Sequence, residues 1–344
     1  MRFPKSLKKG GSIGFIAPSF GANTEPYASL FKNAVKKFKD MGYTAVCGPN
    51  VFAGEGIGKS NTPVKCAREI NDMYGRDDSD VLISVGGGET MCEDLSFVDF
   101  DALKKAEPKW FMGYSDNTNL TFTLTTLCDV ASIYAPCAGS FGMEKWHPAL
   151  QDAFDLLCGE KTEFSSYDKF ELESLRTEDN PLVPYNLTEY AHRTVYVGNK
   201  KTDTVRMSGR LLGGCLDSLG ILCGTRFDAV LEFNSRYGND GIVWFLESCD
   251  LNPLDVRRVI WQLDSAGWFK NTSGFIIGRP LTYGMEIMGM DHKKAMLEIL
   301  EKYNVPILFD ADLGHMPPAM PLVCGAKADV VVTGDIYNVA MKLK

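Results

Sequence analysis

The chain reads as an α/β protein in two parts: a parallel sheet with helices on both faces, then a second, more strand-rich α/β domain. Three observations predict this. In the first half, short apolar runs alternate with segments of helical period, the pattern of a parallel sheet with crossover helices. From about residue 165 the texture turns polar, with Pro181, Pro184, acidic residues and several tyrosines. Beyond residue 200 the strand-like runs return. The expected domains are therefore 1–164, a linker and substrate loop at 165–200, and 201–344.

Each element has its own signal. Ser12–Ala17 is apolar and β-like. Tyr27–Met41 carries Leu30, Phe31, Ala34, Val35 and Phe38 at helical spacing, with lysines on the other face. Ala45–Cys47 is a short strand, and Pro63–Tyr74 a helix with Val64, Ala67 and Ile70 on its apolar side. Val81–Val85 is an apolar run ending in Gly86-Gly87-Gly88, and Trp110–Met112 is a strand ending near Gly113. The helix-like Asp116–Cys128 follows, then the strand Ser132–Tyr134. In the second part, Val205–Gly213, Gly214–Leu222, Gly241–Leu246, Gly274–Ile277, Ile307–Phe309 and Ala328–Val332 are the ordered runs. Pro253–Ala266 is a clear helix, and the strand-like Asn338–Lys342 closes the chain.

Composition excludes several classes of function. The 344 residues are 45% hydrophobic and 23% charged, with a formal net charge of −8. There is no dense Lys/Arg block, and Lys104-Lys105, Lys200-Lys201 and Lys293-Lys294 are isolated pairs, so binding to a nucleic-acid polymer by counterion release is not expected. No stretch approaches a membrane span. The basic N-terminus leads into Ser12–Ala17, too short for a signal-peptide apolar core, so a cytoplasmic protein is expected. The ten cysteines include no C-x-x-C pair and the four histidines no H-E-x-x-H spacing. Neither a disulfide framework nor a metal centre is expected, and no cofactor is required.

The segment Lys109-Trp-Phe-Met-Gly-Tyr-Ser-Asp-Asn-Thr118 is the most informative. Ser115 stands at a strand-to-helix corner, where a sharp turn exposes a hydroxyl and a helix N-terminus offers backbone N–H groups to an oxyanion. The same residue would also serve as a helix cap. A hydroxyl nucleophile needs a base and an acid to orient that base. His315, on the Gly- and Pro-rich loop after Val305–Phe309, is the best base among His147, His192, His292 and His315; an ordinary loop histidine is the alternative. Glu247 closes the apolar run Gly241–Leu246, where a carboxylate must be paired or hydrogen-bonded. It is the candidate acid, with capping or a salt bridge as the other reading. Gly86–Gly88 is half of an oxyanion hole or simply a tight turn. Cys92, Cys137 and Cys215 have no recognisable histidine partner for a thiol mechanism.

Together these segments resemble the LD-carboxypeptidase family of serine peptidases, which includes the microcin C immunity peptidases. The resemblance is carried by Gly14-Phe-Ile-Ala-Pro-Ser19, Gly86-Gly87, Gly113-Tyr-Ser-Asp-Asn117, Gly209-Arg-Leu-Leu-Gly-Gly214, Phe245-Leu-Glu247 and Gly314-His315, and it covers nearly the whole chain. It implies a flavodoxin-like first domain carrying Ser115, a β-rich second domain carrying Glu247 and His315, a site at their interface, and a homodimer. It implies the triad Ser115, Glu247 and His315, with an oxyanion hole built from backbone N–H of Asp116 and of the turn containing Gly87 and Gly88. The substrate implied is a small peptide or peptidyl-nucleotide. One branch of the family trims the terminal D-alanine of murein tetrapeptides; the other cleaves the amide joining an aspartyl group to a modified nucleotide.

The long polar stretch 165–200 resembles the loop of the immunity branch, where a tryptophan stacks on the base. This chain has no Trp between Trp146 and Trp244, so Tyr185, Tyr190 or Tyr196 is the available aromatic face. Cys215 stands where many relatives have Asn; it and Glu89 are candidate substrate contacts. A non-catalytic two-domain protein binding a small acidic ligand is the alternative of another class.

Overall fold

The computed structural model describes residues 1–344. The chain divides into two compact units: Met1–Lys161 with Glu173–Asn186, and Thr162–Leu172 with Leu187–Lys344.

The first unit alternates strand and helix as expected: β1 (Ser12–Ile16), α1 (Tyr27–Asp40), β2 (Thr44–Cys47), α2 (Pro63–Gly75), β3 (Val81–Ser84), α3 (Phe100–Lys105), β4 (Trp110–Gly113), α4 (Thr118–Thr126), β5 (Ser132–Tyr134) and α5 (Pro148–Cys158). The five strands pair in parallel in the order β2-β1-β3-β4-β5. This is the flavodoxin-like order, in which ligands bind beyond the carboxyl ends of the strands, near the point where the order reverses between β1 and β3. Leu30, Phe31, Ala34 and Phe38 turn the apolar face of α1 into the core, where Phe31 meets Phe15 of β1 edge-on at 5.3 Å. Leu82, Phe111, Leu120, Leu124 and Ile70 form the core on the other face.

α4 is buried along its whole length despite five threonines in Thr118-Asn-Leu-Thr-Phe-Thr-Leu-Thr-Thr126 that would ordinarily seek water. Three of the hydroxyls are satisfied inside the helix. Thr123, Thr125 and Thr126 donate to the carbonyls of Asn119, Thr121 and Phe122 at 2.6, 3.0 and 2.9 Å. The helix behind Ser115 is thereby a rigid, dry support.

The second unit is built on a nine-stranded sheet in the order β10-β9-β14-β13-β12-β11-β16-β17-β6. Its strands are β6 (Glu163–Ser165), β9 (Thr194–Val197), β10 (Lys200–Thr202), β11 (Thr204–Cys215), β12 (Ile242–Glu247), β13 (Thr272–Gly278), β14 (Pro306–Ala311), β16 (Lys327–Thr333) and β17 (Ile336–Lys342). The four central strands β11, β12, β13 and β14 are parallel, and antiparallel strands flank them. The helices are α6 (Leu216–Leu222), α7 (Val230–Tyr237), α8 (Pro253–Ser265) and α9 (His292–Leu300). β7 (Lys169–Glu171) and β8 (Leu187–Tyr190) form a separate antiparallel pair, and β15 is the short strand Leu322–Cys324. Stacked Trp244 and Trp268, with ring centroids 5.8 Å apart, anchor the core. No helix is long and apolar enough to cross a membrane.

Residues 165–200 differ from the linker expected. They contain β7, β8, β9 and the start of β10, and β9 pairs with β14 at the sheet's edge. Only Glu173–Asn186 groups with the first unit. The position of these strands explains the misreading: β10 is the edge strand and β9 its neighbour, and strands there can leave one side to solvent. In β9 only Val195 is buried. β11 also continues through Gly214 to Cys215, past the strand end expected at Gly213.

One ion network ties the second unit together. The fully buried Asp312 carboxylate accepts from Arg193 Nη2 at 2.7 Å, from Arg279 Nη2 at 2.8 Å and from the Tyr167 N–H at 2.8 Å. Arg279 also donates to the Asp310 carbonyl at 2.7 Å. Replacing Asp312 with Ala strands two buried guanidinium groups, so a loss of about 3–5 kcal/mol in unfolding free energy is expected, read by chemical denaturation. A loss below about 1 kcal/mol would mean that solvent, not Asp312, neutralises these arginines.

Candidate active site

In the first unit, Ser115 follows β4 by two residues and adopts φ +63°, a left-handed conformation rare for a residue with a side chain. It opens a single 3₁₀ turn, Ser115–Asn117, before α4 begins at Thr118. The helix thus starts slightly later than the sequence suggested. Several bonds hold the strained corner. The Ser115 N–H donates to Tyr134 Oη at 3.2 Å, and Asn117 Nδ2 donates to the carbonyls of Gly86 and Tyr114 at 2.8 and 3.1 Å. No side-chain cap is made to this turn by the preceding residue, and Ser115 lies inside the turn rather than at its cap. Strain of this kind is maintained at functional corners.

The glycine turn lies against this corner. A Cβ on Gly87 would fall 3.2 Å from both Cβ and Oγ of Ser115, so only hydrogen leaves the hydroxyl unobstructed. Gly88 is equally constrained: a Cβ there would collide with the Ser19 hydroxyl and lie 2.9 Å from the Gly58 carbonyl oxygen. Ser19 in turn donates to the buried Asp116 carboxylate at 2.6 Å, which also accepts from the Met91 N–H at 3.0 Å and from Asn119 Nδ2 at 2.9 Å. Burial pushes the Asp116 carboxyl above its usual range, and these bonds act against that rise. Ser19, Tyr134 and Asn117 are positioning residues that sequence reasoning did not find; their partners are distant in sequence.

In the second unit, Glu247 is the last residue of β12 and is 1% exposed. Its Oε2 accepts a hydrogen bond from His315 Nδ1 at 2.7 Å. A carboxylate only accepts, so Nδ1 carries the proton and Nε2 is the basic nitrogen of the neutral ring. Two glycines make the fit possible. A Cβ on Gly314, which has φ +95°, would sit 2.8 Å from Cβ and Cδ of Glu247. A Cβ on Gly278 would sit 3.0 Å from Glu247 Cβ. Glu247 and His315, far apart in the chain, are therefore in direct contact.

The parallel register brings Cys215 to the same place, because it is paired with Glu247 across β11 and β12. Donor atoms of Cys215, Glu247 and His315 all lie within 4.8 Å of one another. The Cys249 thiol lies close enough to the His315 ring to raise its proton affinity, and donates to Asp250 Oδ1 at 3.5 Å. Asp217 underpins both thiols. Its carboxylate accepts from Cys215 Sγ at 3.2 Å and from the backbone N–H groups of Cys249 and Asp250 at 3.0 Å each. Scattered sequence positions gave no hint of this group.

The other predicted contacts are dispersed. Glu89 is exposed beside the Gly58 turn, where its N–H donates to the Gly58 carbonyl at 2.9 Å. Tyr185 packs on His147 in the first unit, with ring centroids 5.9 Å apart. Tyr190 belongs to the second unit, is 64% exposed, and has Lys169 Nζ 4.6 Å from its ring centroid. The remaining histidines have structural duties. His147 caps α5 through the Ala149 N–H, His192 pairs with Asp335 on the surface, and half-buried His292 bonds Thr282.

Burial pushes the His315 ring down, but the Glu247 carboxylate, helped by Cys249, outweighs it and holds the ring well above the ordinary histidine range. A raised folded-state value stabilises the protein fully below the unfolded value of about 6.5 and loses that contribution as pH rises through the folded value. The destabilisation caused by Glu247→Gln is accordingly expected to be largest near about pH 6 and to shrink as the solution is made alkaline. Denaturation curves at a series of pH values test this; a pH-independent difference would show that Glu247 acts by packing alone.

Comparison with known proteins shows the family to which the chain belongs. Residues 13–135 match the LD-carboxypeptidase N-terminal domain and residues 208–330 the LD-carboxypeptidase C-terminal domain. The chain is 24% identical to a putative carboxypeptidase of Vibrio cholerae, with 100% of this chain and 98% of that protein aligned. It is also 24% identical to the microcin C7 self-immunity protein MccF of Escherichia coli, over 97% and 94%. Identity is again 24% to a probable murein peptide carboxypeptidase of Bacillus subtilis, over 94% and 90%. Its fold is that of an MccF-like protein from Bacillus anthracis, with a TM-score of 0.81 over 99% of this chain and 100% of the other at 20% identity. MccF bound to aspartyl sulfamoyl adenosine matches with a TM-score of 0.80 at 21% identity, over 99% of each chain. The chain belongs to the LD-carboxypeptidase family and is a serine-type peptidase.

Proposed function

We propose that Ser115, Glu247 and His315 act together as a Ser-Glu-His triad on an amide joining an aspartyl or peptidyl group to a nucleotide. The observation that carries the triad is the 2.7 Å bond from His315 Nδ1 to Glu247, which leaves Nε2 as the basic nitrogen. His315 takes the Ser115 proton as the hydroxyl attacks the carbonyl, and returns it to the leaving amine. Water, deprotonated by the same ring, then releases the acyl group. Backbone N–H groups of Asp116 and of the turn containing Gly87 and Gly88 receive the oxyanion. Glu89 and Cys215 contact substrate in this reading, and Tyr185 or Tyr190 supplies an aromatic face for the base. The exposed ring of Tyr190 favours it for that role.

The immunity-type substrate is preferred because two solved MccF-type chains share the fold over nearly the full length, one of them holding an aspartyl nucleotide analogue. Trimming of murein tetrapeptides is the second reading, supported by the equal identity to the Bacillus subtilis relative. None of the ten cysteines is joined in a disulfide, which suits a reducing compartment, and we propose a cytoplasmic enzyme acting as a homodimer.

Hydrolysis of aspartyl sulfamoyl adenosine and of a murein tetrapeptide, side by side, tests the reading. Cleavage of the nucleotide conjugate is expected, with Ser115→Ala slower by at least about 10⁴-fold and still folded. Cleavage of the tetrapeptide alone would transfer the enzyme to wall-peptide trimming. Turnover unaffected by Ser115→Ala would refute the triad. The rate is expected to rise with pH along a limb above the ordinary histidine value of about 6.5, because His315 must lose its second proton to act as base. Glu247→Gln is expected to shift that limb downward while slowing turnover by about 10⁴-fold.

A further inference from the structure

We propose that Cys215, Cys249 and His315, together with Glu247, form a binding site for a thiophilic divalent cation, zinc above all, and that the bound cation inhibits the peptidase by occupying its base. The metal-binding half stands on the second unit alone; the inhibitory half rests on the triad reading.

Geometry is the first argument. Donor atoms of Cys215, Glu247 and His315 already lie within 4.8 Å of one another; Cys249 lies outside that group, its thiol on Asp250 Oδ1 at 3.5 Å, and joins as the fourth ligand by rotating from it. Tetrahedral zinc bonds sulfur at about 2.3 Å and nitrogen or oxygen at about 2.0–2.2 Å, which sets its ligand atoms about 3.3–3.8 Å apart. Closing the cluster takes a contraction of about 1 Å, within reach of side-chain rotation. The strand register fixes Cys215 beside Glu247, and the shared Asp217 carboxylate fixes Cys215 and Cys249 beside each other.

Donor chemistry is the second. Two sulfurs, an imidazole and a carboxylate make a set that prefers zinc to magnesium or calcium, which take oxygen. Charge is the third. Glu247 is paired with Cys215 across the strands, and Asp217 accepts from its thiol at 3.2 Å. The same two carboxylates attract a dication. On binding, two S–H protons pass to solvent, two sulfur–metal bonds form, and the imidazole and carboxylate complete the shell without any change of oxidation state. The bond between His315 and Glu247 is given up, and the base with it. His315 and Cys249 are partly exposed, and Cys215 is buried.

The test uses the full chain, stripped with chelator and titrated with Co²⁺. One equivalent is expected to give thiolate-to-cobalt charge-transfer absorption in the near ultraviolet, displaced by one equivalent of Zn²⁺. Cys215→Ser and Cys249→Ser are each expected to weaken Co²⁺ binding at least tenfold, while Cys66→Ser, in the first unit, leaves it unchanged. Circular dichroism reports whether each variant is folded, and the two variants guard against failure of either. Absence of thiolate absorption, or its persistence in both variants, would overturn the site. In the second arm, micromolar Zn²⁺ is expected to abolish hydrolysis of whichever substrate is cleaved, reversibly by chelator and without effect from Mg²⁺. At least tenfold more Zn²⁺ should be needed for Cys249→Ser. Thiolate-bound metal with undiminished hydrolysis would overturn inhibition alone. The absorption arm needs no turnover, so failure of the peptidase reading and failure of the metal site are distinguishable.

Discussion

The second unit is organised around one electrostatic requirement. Glu247 ends a buried strand with its side chain almost wholly removed from water. An isolated carboxylate there would cost several kcal/mol or take up a proton. Its charge is answered by His315, brought within 2.7 Å because the positions that would crowd it, Gly278 and Gly314, have no side chains. The neighbouring strand end contributes Cys215, and the loop after β14 contributes the imidazole. Placing an acid at the carboxyl edge of a parallel sheet thus dictates the residues around it.

The first unit meets a conformational requirement at the equivalent edge of its own sheet. Ser115 occupies a left-handed backbone region, which costs about 1–3 kcal/mol unless the surroundings enforce it. Asn117 bonds to Gly86, Tyr134 bonds to the Ser115 N–H, and Asp116 bonds to Ser19 and to the Met91 N–H; together they enforce it from three directions. The threonine-rich helix behind contributes by needing no water. The buried polar groups of this unit therefore cluster where the backbone is least comfortable.

The alternation of strands and helices in the first unit was legible because period and turn chemistry are local properties. So was the corner at Ser115, and so were Glu247 at a strand end and His315 on a loop. Their joint assignment as a triad came from resemblance, since no local signal links residues so far apart in the chain. Residues 165–200 misled because the strands there are short and lie at or near a sheet edge; in β9 only Val195 is buried. Tyr185 and Tyr190, five positions apart and alike in sequence, belong to different units. The cluster of Cys215, Cys249 and Asp217 was illegible, being created by strand register rather than by spacing in the chain.

Orientation and protonation of His315 have separate origins. A buried charge-assisted hydrogen bond contributes about 1.5–3 kcal/mol, enough to set the proton affinity of the ring but less than the energy anchoring its loop. That anchor is Asp312, three residues earlier, gripped by Arg193 and Arg279, with its N–H on Tyr337 Oη at 3.0 Å and its carbonyl accepting from Met320 at 2.8 Å. Breaking such a buried ionic network costs about 3–5 kcal/mol. The loop therefore keeps its course when Glu247 is neutralised, and the ring keeps its place while losing its elevated proton affinity. Loss of Asp312 acts in the opposite sense, releasing the loop while Glu247 stays at the end of β12. Glu247 tunes the proton affinity of His315, and the arginine-clamped aspartate holds the loop that carries the ring.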